Sequence, residues 1–226
     1  MTDTKADAVR IQTSLLNASE KKVLVWLAKR QPEGGTSDIL TGIGTLGAVI
    51  IAAGYILAGY NINFLWLSSL GFIINWYGDS LDGTLARVRN RQRPVYGYYI
   101  DHTVDCLDEF MIFIGIGLSG LMHFELSLMI LALYFMLTIN VSINAHLKKE
   151  FRLTYARLGP TEFRILAILA NTVLALVPAL TEFVLFGLSF MDYVGILVFI
   201  VLLIIYLTTI VKDAREYAEM DPMPKG

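Results

Sequence analysis

The sequence predicts an all-α integral membrane protein: six transmembrane helices preceded by a cytosolic interfacial amphipathic helix. Three observations lead there. Of the 226 residues, 55% are hydrophobic, and the mean hydropathy is +0.59. The apolar residues come in long runs rather than at the short periods of a soluble domain, and six runs could each cross a ~30 Å hydrocarbon core, which takes ~20 residues. The 18 Lys and Arg fall in only four places: the N-terminal segment, the second connection, the fourth connection and the C-terminal tail. The first, third and fifth connections carry none. By the positive-inside rule, both termini face the cytosol and the number of spans is even.

Taken in order, residues 1–18 are polar and mixed in charge, with no basic stretch leading into an apolar run, so a cleaved signal peptide is not expected. Residues 19–31 include SEKKVLVWLAKR, an apolar centre with basic flanks that suits a helix lying at the cytosolic interface. The spans are read as 38–60, 63–87, 97–122, 125–147, 161–182 and 190–211, so that 38–211 forms a six-helix bundle within one membrane domain covering 1–226. Tyr60, Trp66, Trp76, Tyr77 and Tyr96 stand near span ends, as interfacial aromatics do. Pro160 and Thr161 suit the start of the fifth span, and Glu162 complements its N-terminal dipole. Residues 212–226 form a charged cytosolic tail ending in Pro222 and Pro224, expected to fray. The single cysteine, Cys106, excludes an internal disulfide. Gly115, Gly117 and Gly120 suit either helix packing or a dimer seam.

The charges inside the second and third spans carry the chemistry. Asp79 and Asp82 are three apart, and Asp101 and Asp105 four apart, so each pair shares a helical face. Asp79 lies ~22 Å along its helix from Phe64, near the cytosolic side. The two spans are antiparallel and joined by a short connection, so all four acids can meet in one site. Each like-charge pair at 4 Å costs ~4 kcal/mol at an effective dielectric near 20, so protons or cations must compensate. An all-oxygen, histidine-poor set favours a hard divalent ion such as Mg²⁺, Mn²⁺ or Ca²⁺. One or two such ions could clamp a pyrophosphate. Gly83 and Ala86 leave room for a ligand on that face, and Arg87 offers a planar fork to phosphate oxygens. Gly97 could end the connection and let the two helices pack closely.

The string from Asp79 to Asp105, DSLDGTLARVRNRQRPVYGYYIDHTVD, resembles the signature of the CDP-alcohol phosphotransferase family: D-x-x-D-G-x-x-A-R, a spacer, then G-x-x-x-D-x-x-x-D. Every fixed position is met, and the spacer between Arg87 and Gly97 is one residue longer than usual. The resemblance implies metal-dependent transfer of a phosphoalcohol, here a phosphatidyl group, from a CDP-alcohol to an acceptor hydroxyl, with release of CMP. By analogy Asp79, Asp82 and Asp101 hold Mg²⁺ or Mn²⁺, and Asp105 is the general base and a further metal ligand. Asp82, Gly83, Ala86, Arg87 and Gly97 would line the CDP pocket. Asp38 and Thr41 would join them, since Ser37–Thr41 partly matches a P-N-x-L-T-like stretch. The expected partners are a CDP-diacylglycerol-like lipid, an alcohol acceptor, membrane lipids and a second copy of the chain, without nucleic acid. The site would face the cytosol.

Outside the signature, Asp108 continues the acidic face deeper into the span, with Glu109 beside it; acceptor recognition and a satisfied polar pair are both open. Arg152, Arg157 and Arg164 could bind an anionic acceptor or a lipid phosphate. His102 points about 100° away from Asp101 on a helix, which does not suit a metal ligand. The Asp101-His102 pair also resembles the choline and ethanolamine branch, in which a soluble CDP-alcohol meets a lipid acceptor. Two other classes compete. An ion-coupled transporter would need acids continuing through the first, fourth or fifth spans, and an intramembrane prenyltransferase carries its acidic motifs much farther apart.

Overall fold

The computed structural model describes residues 9–11, 16–148, 150–152 and 159–224, and these fold almost entirely as helices. Helix α1 (Asn17–Ala28) precedes α2 (Ser37–Ala58); a short 3-10 turn (Ile62–Phe64) leads into α3 (Leu65–Val88). There follow α4 (Pro94–Leu118), α5 (Phe124–Lys148), α6 (Pro160–Leu176), the single turn α7 (Pro178–Thr181) and α8 (Phe190–Met220). Strand β1 (Val9–Ile11) pairs in parallel with β2 (Glu150–Arg152), and β3 (Val184–Leu185) with β4 (Leu188–Ser189) forms a small antiparallel ribbon before α8. Among the described residues, three helices are long and apolar enough to cross a membrane: α2, α5 and α8. Helices α3 and α4 are 24 and 25 residues long but carry the acidic residues, and α6 is 17 residues long.

The helix limits depart from the sequence reading most in three places, each with an identifiable cause. Helix α4 begins at Pro94 rather than Gly97, because proline at a first helical position is already set to φ near −65° and its missing N–H is not needed there. Asp101 is therefore nearly two turns into the helix, not one. Gly97 lies inside the first turn, where an added Cβ would meet nothing within 4 Å, so it does not bring α3 and α4 together. The fifth apolar stretch breaks at Val177, because Pro178 cannot continue the helix. At the other end, α8 continues to Met220 through what was expected to be a frayed tail. Asp213 accounts for this: its carboxylate accepts from Asn140 and Asn144 (3.1 and 2.7 Å) and pairs with Lys148 (3.1 Å), all on α5, while Lys148 also meets Glu216 at 2.7 Å.

The closest packing joins α2 to α3. Added Cβ atoms at Gly47 and Gly54 would collide with α3 backbone at Asn75 and Ser68, those at Gly71 and Gly78 with α2 backbone at Ile51 and Gly44, and one at Gly44 would press on Asp79 N at 3.2 Å. Small residues let the backbones approach, so van der Waals contact and polar bonds fix the register. Ser68 donates to Ile51 O at 3.0 Å, and Asn75 to Gly44 O at 3.0 Å. Gly115 is spent the same way, against Ala52 of α2, and Gly117 against Phe124; both are used within this chain rather than at a seam between copies. Helix α1 buries Leu24 and Ala28 against Leu40, Leu81 and Leu85 and leaves Val23 and Trp26 exposed. Its Glu20 accepts from Trp76 of α3 (2.9 Å) and Thr161 of α6 (2.5 Å), tying three helices together.

At the opposite end of the bundle, Asp192 is wholly buried near the start of α8 and accepts from His123 N (2.7 Å), His123 Nδ1 (2.7 Å) and Ser189 N (2.8 Å). Ser189 Oγ accepts from Asp192 N in return, completing a capping box. Replacing Asp192 by Ala should strip His123 N, His123 Nδ1 and Ser189 N of their acceptor and cost ~1–3 kcal/mol. Thermal unfolding in detergent would show a clearly lowered midpoint, with little change in catalytic constants measured well below it.

Candidate active site

The site forms where α2 begins, α3 ends, α4 begins and α6 begins. Asp79, Asp101 and Asp105 each offer one carboxylate oxygen within 4.8 Å of the other two. Helices α3 and α4 both pack on α2, which brings the acids together, and the close α2–α3 contact fixes Asp79, whose backbone N lies across from Gly44. Asp82 is on the same helix but outside that triad. Its Oδ2 accepts from Thr41 Oγ1 at 2.6 Å, its Oδ1 meets the N–H of Gly83, and Ser37 Oγ donates to its main-chain carbonyl at 2.8 Å. The start of α2 therefore serves Asp82: Thr36 caps the helix by accepting from Ile39 N, and the next two turns present Ser37 and Thr41. Thr41→Val should remove one hydrogen bond from Asp82 and lower kcat/KM about 5- to 20-fold, equivalent to ~1–2 kcal/mol. An unchanged kcat/KM in a steady-state assay would show that the Asp82 orientation is immaterial.

Asp38 has a different place. Arg93 Nη2 reaches both Asp38 oxygens at 2.8 Å and the guanidinium lies 3.8 Å above the Tyr96 ring. The pair ties the α3–α4 turn to the start of α2, at an exposed rim rather than among the acids. The turn reverses through Asn90, which adopts φ +52, a conformation asparagine tolerates well. Arg89 donates to the carbonyls of Gln31, Pro32, Glu33 and Gly35, so the longer spacer also clasps the α1–α2 connection. Arg87 is exposed and donates to Thr84 Oγ1 at 3.0 Å. The position a Gly83 Cβ would take lies 3.4 Å from the Arg87 guanidinium, and Ala86 is half-buried on the same helix. His102 is outside the triad: its Nδ1 meets Tyr98 O at 2.9 Å, its ring stacks on Tyr98, and it lies 3.8 Å from Asp101.

Arg164 enters from α6. Its Nη2 donates to Asp79 Oδ2 at 2.6 Å and its Nε to Asn75 Oδ1 at 2.9 Å. Asn75 turns its amide nitrogen to Asp108 Oδ2 at 3.1 Å, so Arg164 and Asp108 are linked through an amide rather than directly paired. Glu109 is met by the Tyr134 hydroxyl of α5. The sequence reading passed over Asn75 and Tyr134. Asn75 had a signal, since it is an amide within an apolar span one turn before Asp79; Tyr134 had none. Of the other basic candidates, the Arg152 side chain and all of Arg157 lie outside the described residues.

The charges decide what the cluster can hold. One guanidinium against three carboxylates leaves two negative charges, the charge of a divalent ion, and every donor is a hard oxygen. The residues present therefore fit Mg²⁺ or Mn²⁺. A family model described as CDP-alcohol phosphatidyltransferase matches residues 36–211. Over 83 residues the chain is 39% identical to a phosphatidylinositol phosphate synthase from Cutibacterium acnes. That alignment takes in 37% of this chain and 38% of the relative's length.

Proposed function

The chain belongs to the CDP-alcohol phosphatidyltransferase family, and from that premise we propose that it transfers a phosphatidyl group from a CDP-diacylglycerol-like lipid to the hydroxyl of a small polar alcohol, releasing CMP. The observation that carries this reading is the convergence of Asp79, Asp101 and Asp105 to within 4.8 Å, with an arginine in contact. Asp79, Asp101 and Asp105 would hold Mg²⁺ or Mn²⁺, with Asp82 close by for a second ion. Such an ion supplies Lewis-acid polarisation of the pyrophosphate and offsets charge developing on the leaving CMP.

The chain's own groups account for the rest. Gly83 and Ala86 leave the face of α3 open for the nucleotide, and Arg87 stands beside them as an anion-binding fork; Gly97, Asp38 and Thr41 bound the same mouth. Asp105 takes the proton of the acceptor hydroxyl as its oxygen attacks phosphorus, and the bond from phosphorus to the CMP oxygen breaks. Asp108 Oδ1 and Glu109 Oε2 are buried without hydrogen-bond partners among the described residues, so they suit the donor hydrogens of an acceptor's hydroxyls. A role for Arg152 and Arg157 at an anionic acceptor or lipid phosphate belongs to the same proposal. So do six membrane spans, a membrane-surface α1, one membrane domain over 1–226, cytosolic termini and site, and a homodimer.

The test is a donor and acceptor screen on purified protein in mixed micelles, with the lipid product identified by mass spectrometry. A product carrying a phosphatidyl group from CDP-diacylglycerol supports the reading. Turnover confined to soluble CDP-alcohols with a lipid acceptor would reverse the polarity of the reaction.

A further inference from the structure

We propose that Arg164 is a positioning residue that competes with a divalent ion for Asp79 and, when an ion takes that carboxylate, holds an anionic oxygen of the substrate pyrophosphate. The inference rests on the divalent-ion reading above and adds to it an order of events. Arg164 is largely buried, its side chain 15% exposed, and its Nη2 lies 2.6 Å from Asp79 Oδ2. That carboxylate belongs to the group of three that fits an ion, so the guanidinium and a dication compete for it and repel each other strongly at that range.

The guanidinium is not free to leave the site. Nε is held by Asn75 Oδ1, and Asn75 is itself fixed because its amide nitrogen is spent on Gly44 O and Asp108 Oδ2. Loss of the Asp79 bond would thus leave Arg164 anchored through Asn75 on α3, with Nη2 newly available. Nη1 is already buried without a hydrogen-bond partner among the described residues. Two donors on one planar cation form the fork that phosphate oxygens accept. The buried neighbours do not supply that partner: Asp108 Oδ1 and Glu109 Oε2 are unpaired as well. An anionic oxygen arriving with the substrate gives the guanidinium a new counter-charge when the ion has taken the old one.

The test reads metal affinity, not turnover. Mn²⁺ is titrated into the purified full-length protein in detergent, with free Mn²⁺ followed by electron paramagnetic resonance, in the absence and presence of CDP. Arg164→Gln removes the competitor and should bind Mn²⁺ about tenfold more tightly, ~1.4 kcal/mol. It should also lose the tightening that CDP gives the wild-type protein. Arg164→Lys keeps a charge beside Asp79 and should remain within about threefold of wild type. If Arg164→Gln does not fold, Asn75→Ser loosens the anchor while keeping the arginine and should tighten Mn²⁺ binding by a smaller factor. Unchanged or weaker Mn²⁺ binding in a folded Arg164→Gln, or in Asn75→Ser when that variant alone folds, overturns the assignment and leaves the ion reading intact. No Mn²⁺ binding by the wild-type protein overturns both.

Discussion

Asp105→Asn should reduce CMP release by ~10³-fold or more, with the protein still folded and the lipid donor still bound. Two losses combine. An amide cannot take the proton of the acceptor hydroxyl, and general-base contributions run to ~10²–10⁴-fold. The same change removes one of the three carboxylates that converge within 4.8 Å. Asn is close to Asp in shape and α4 continues well past the site, so the fold should survive. The check is a steady-state assay of CMP together with a melting curve. A variant within about tenfold of wild-type kcat would remove Asp105 from the chemistry.

Asp79→Asn should be nearly as damaging, and for a different reason. Asp79 meets Arg164 at 2.6 Å, so the substitution removes an ion ligand and also leaves a buried guanidinium without its carboxylate. Breaking one side of a fully buried ion pair costs ~3–5 kcal/mol, and this part-buried one should cost less. The variant should therefore bind Mn²⁺ much more weakly, lose about 10²-fold or more in kcat/KM and melt earlier, whereas Asp105→Asn should change stability less. Equal melting of Asp79→Asn and wild type would mean that the Arg164 contact contributes little to the fold.

Much of this arrangement was legible in the sequence because it is local. Acids three and four residues apart must share a helical face, and two antiparallel helices with a short connection must bring those faces together. Long apolar runs placed α2 to α5 to within a few residues, but not the end of α6 at Leu176 or of α8 at Met220. What escaped depends on distant parts of the chain. Arg164 lies 85 residues from Asp79, and nothing in the periodicity of α6 says which acid it will meet. Thr41 draws Asp82 away from the other carboxylates through a bond across 41 residues, so four acids in one register became three in the tight group. The partner of Asp38 was equally hidden: it binds Arg93, which the longer spacer delivers to it from 55 residues away. Helix α8 runs past its apolar zone because Asp213 finds three partners on α5, a tertiary effect that overrides a charged and weakly periodic sequence.

The central claim is that the Asp79, Asp101 and Asp105 cluster drives ion-dependent cleavage of a CDP-alcohol. The most direct measurement is CMP release from CDP-diacylglycerol by purified protein, first stripped of divalent ions with a chelator and then resupplied with Mg²⁺ or Mn²⁺. The account predicts no CMP after stripping, recovery on resupply, and no recovery in Asp105→Asn. CMP release that persists through chelation, or a wild-type protein that cleaves no CDP-alcohol with either ion present, would contradict it.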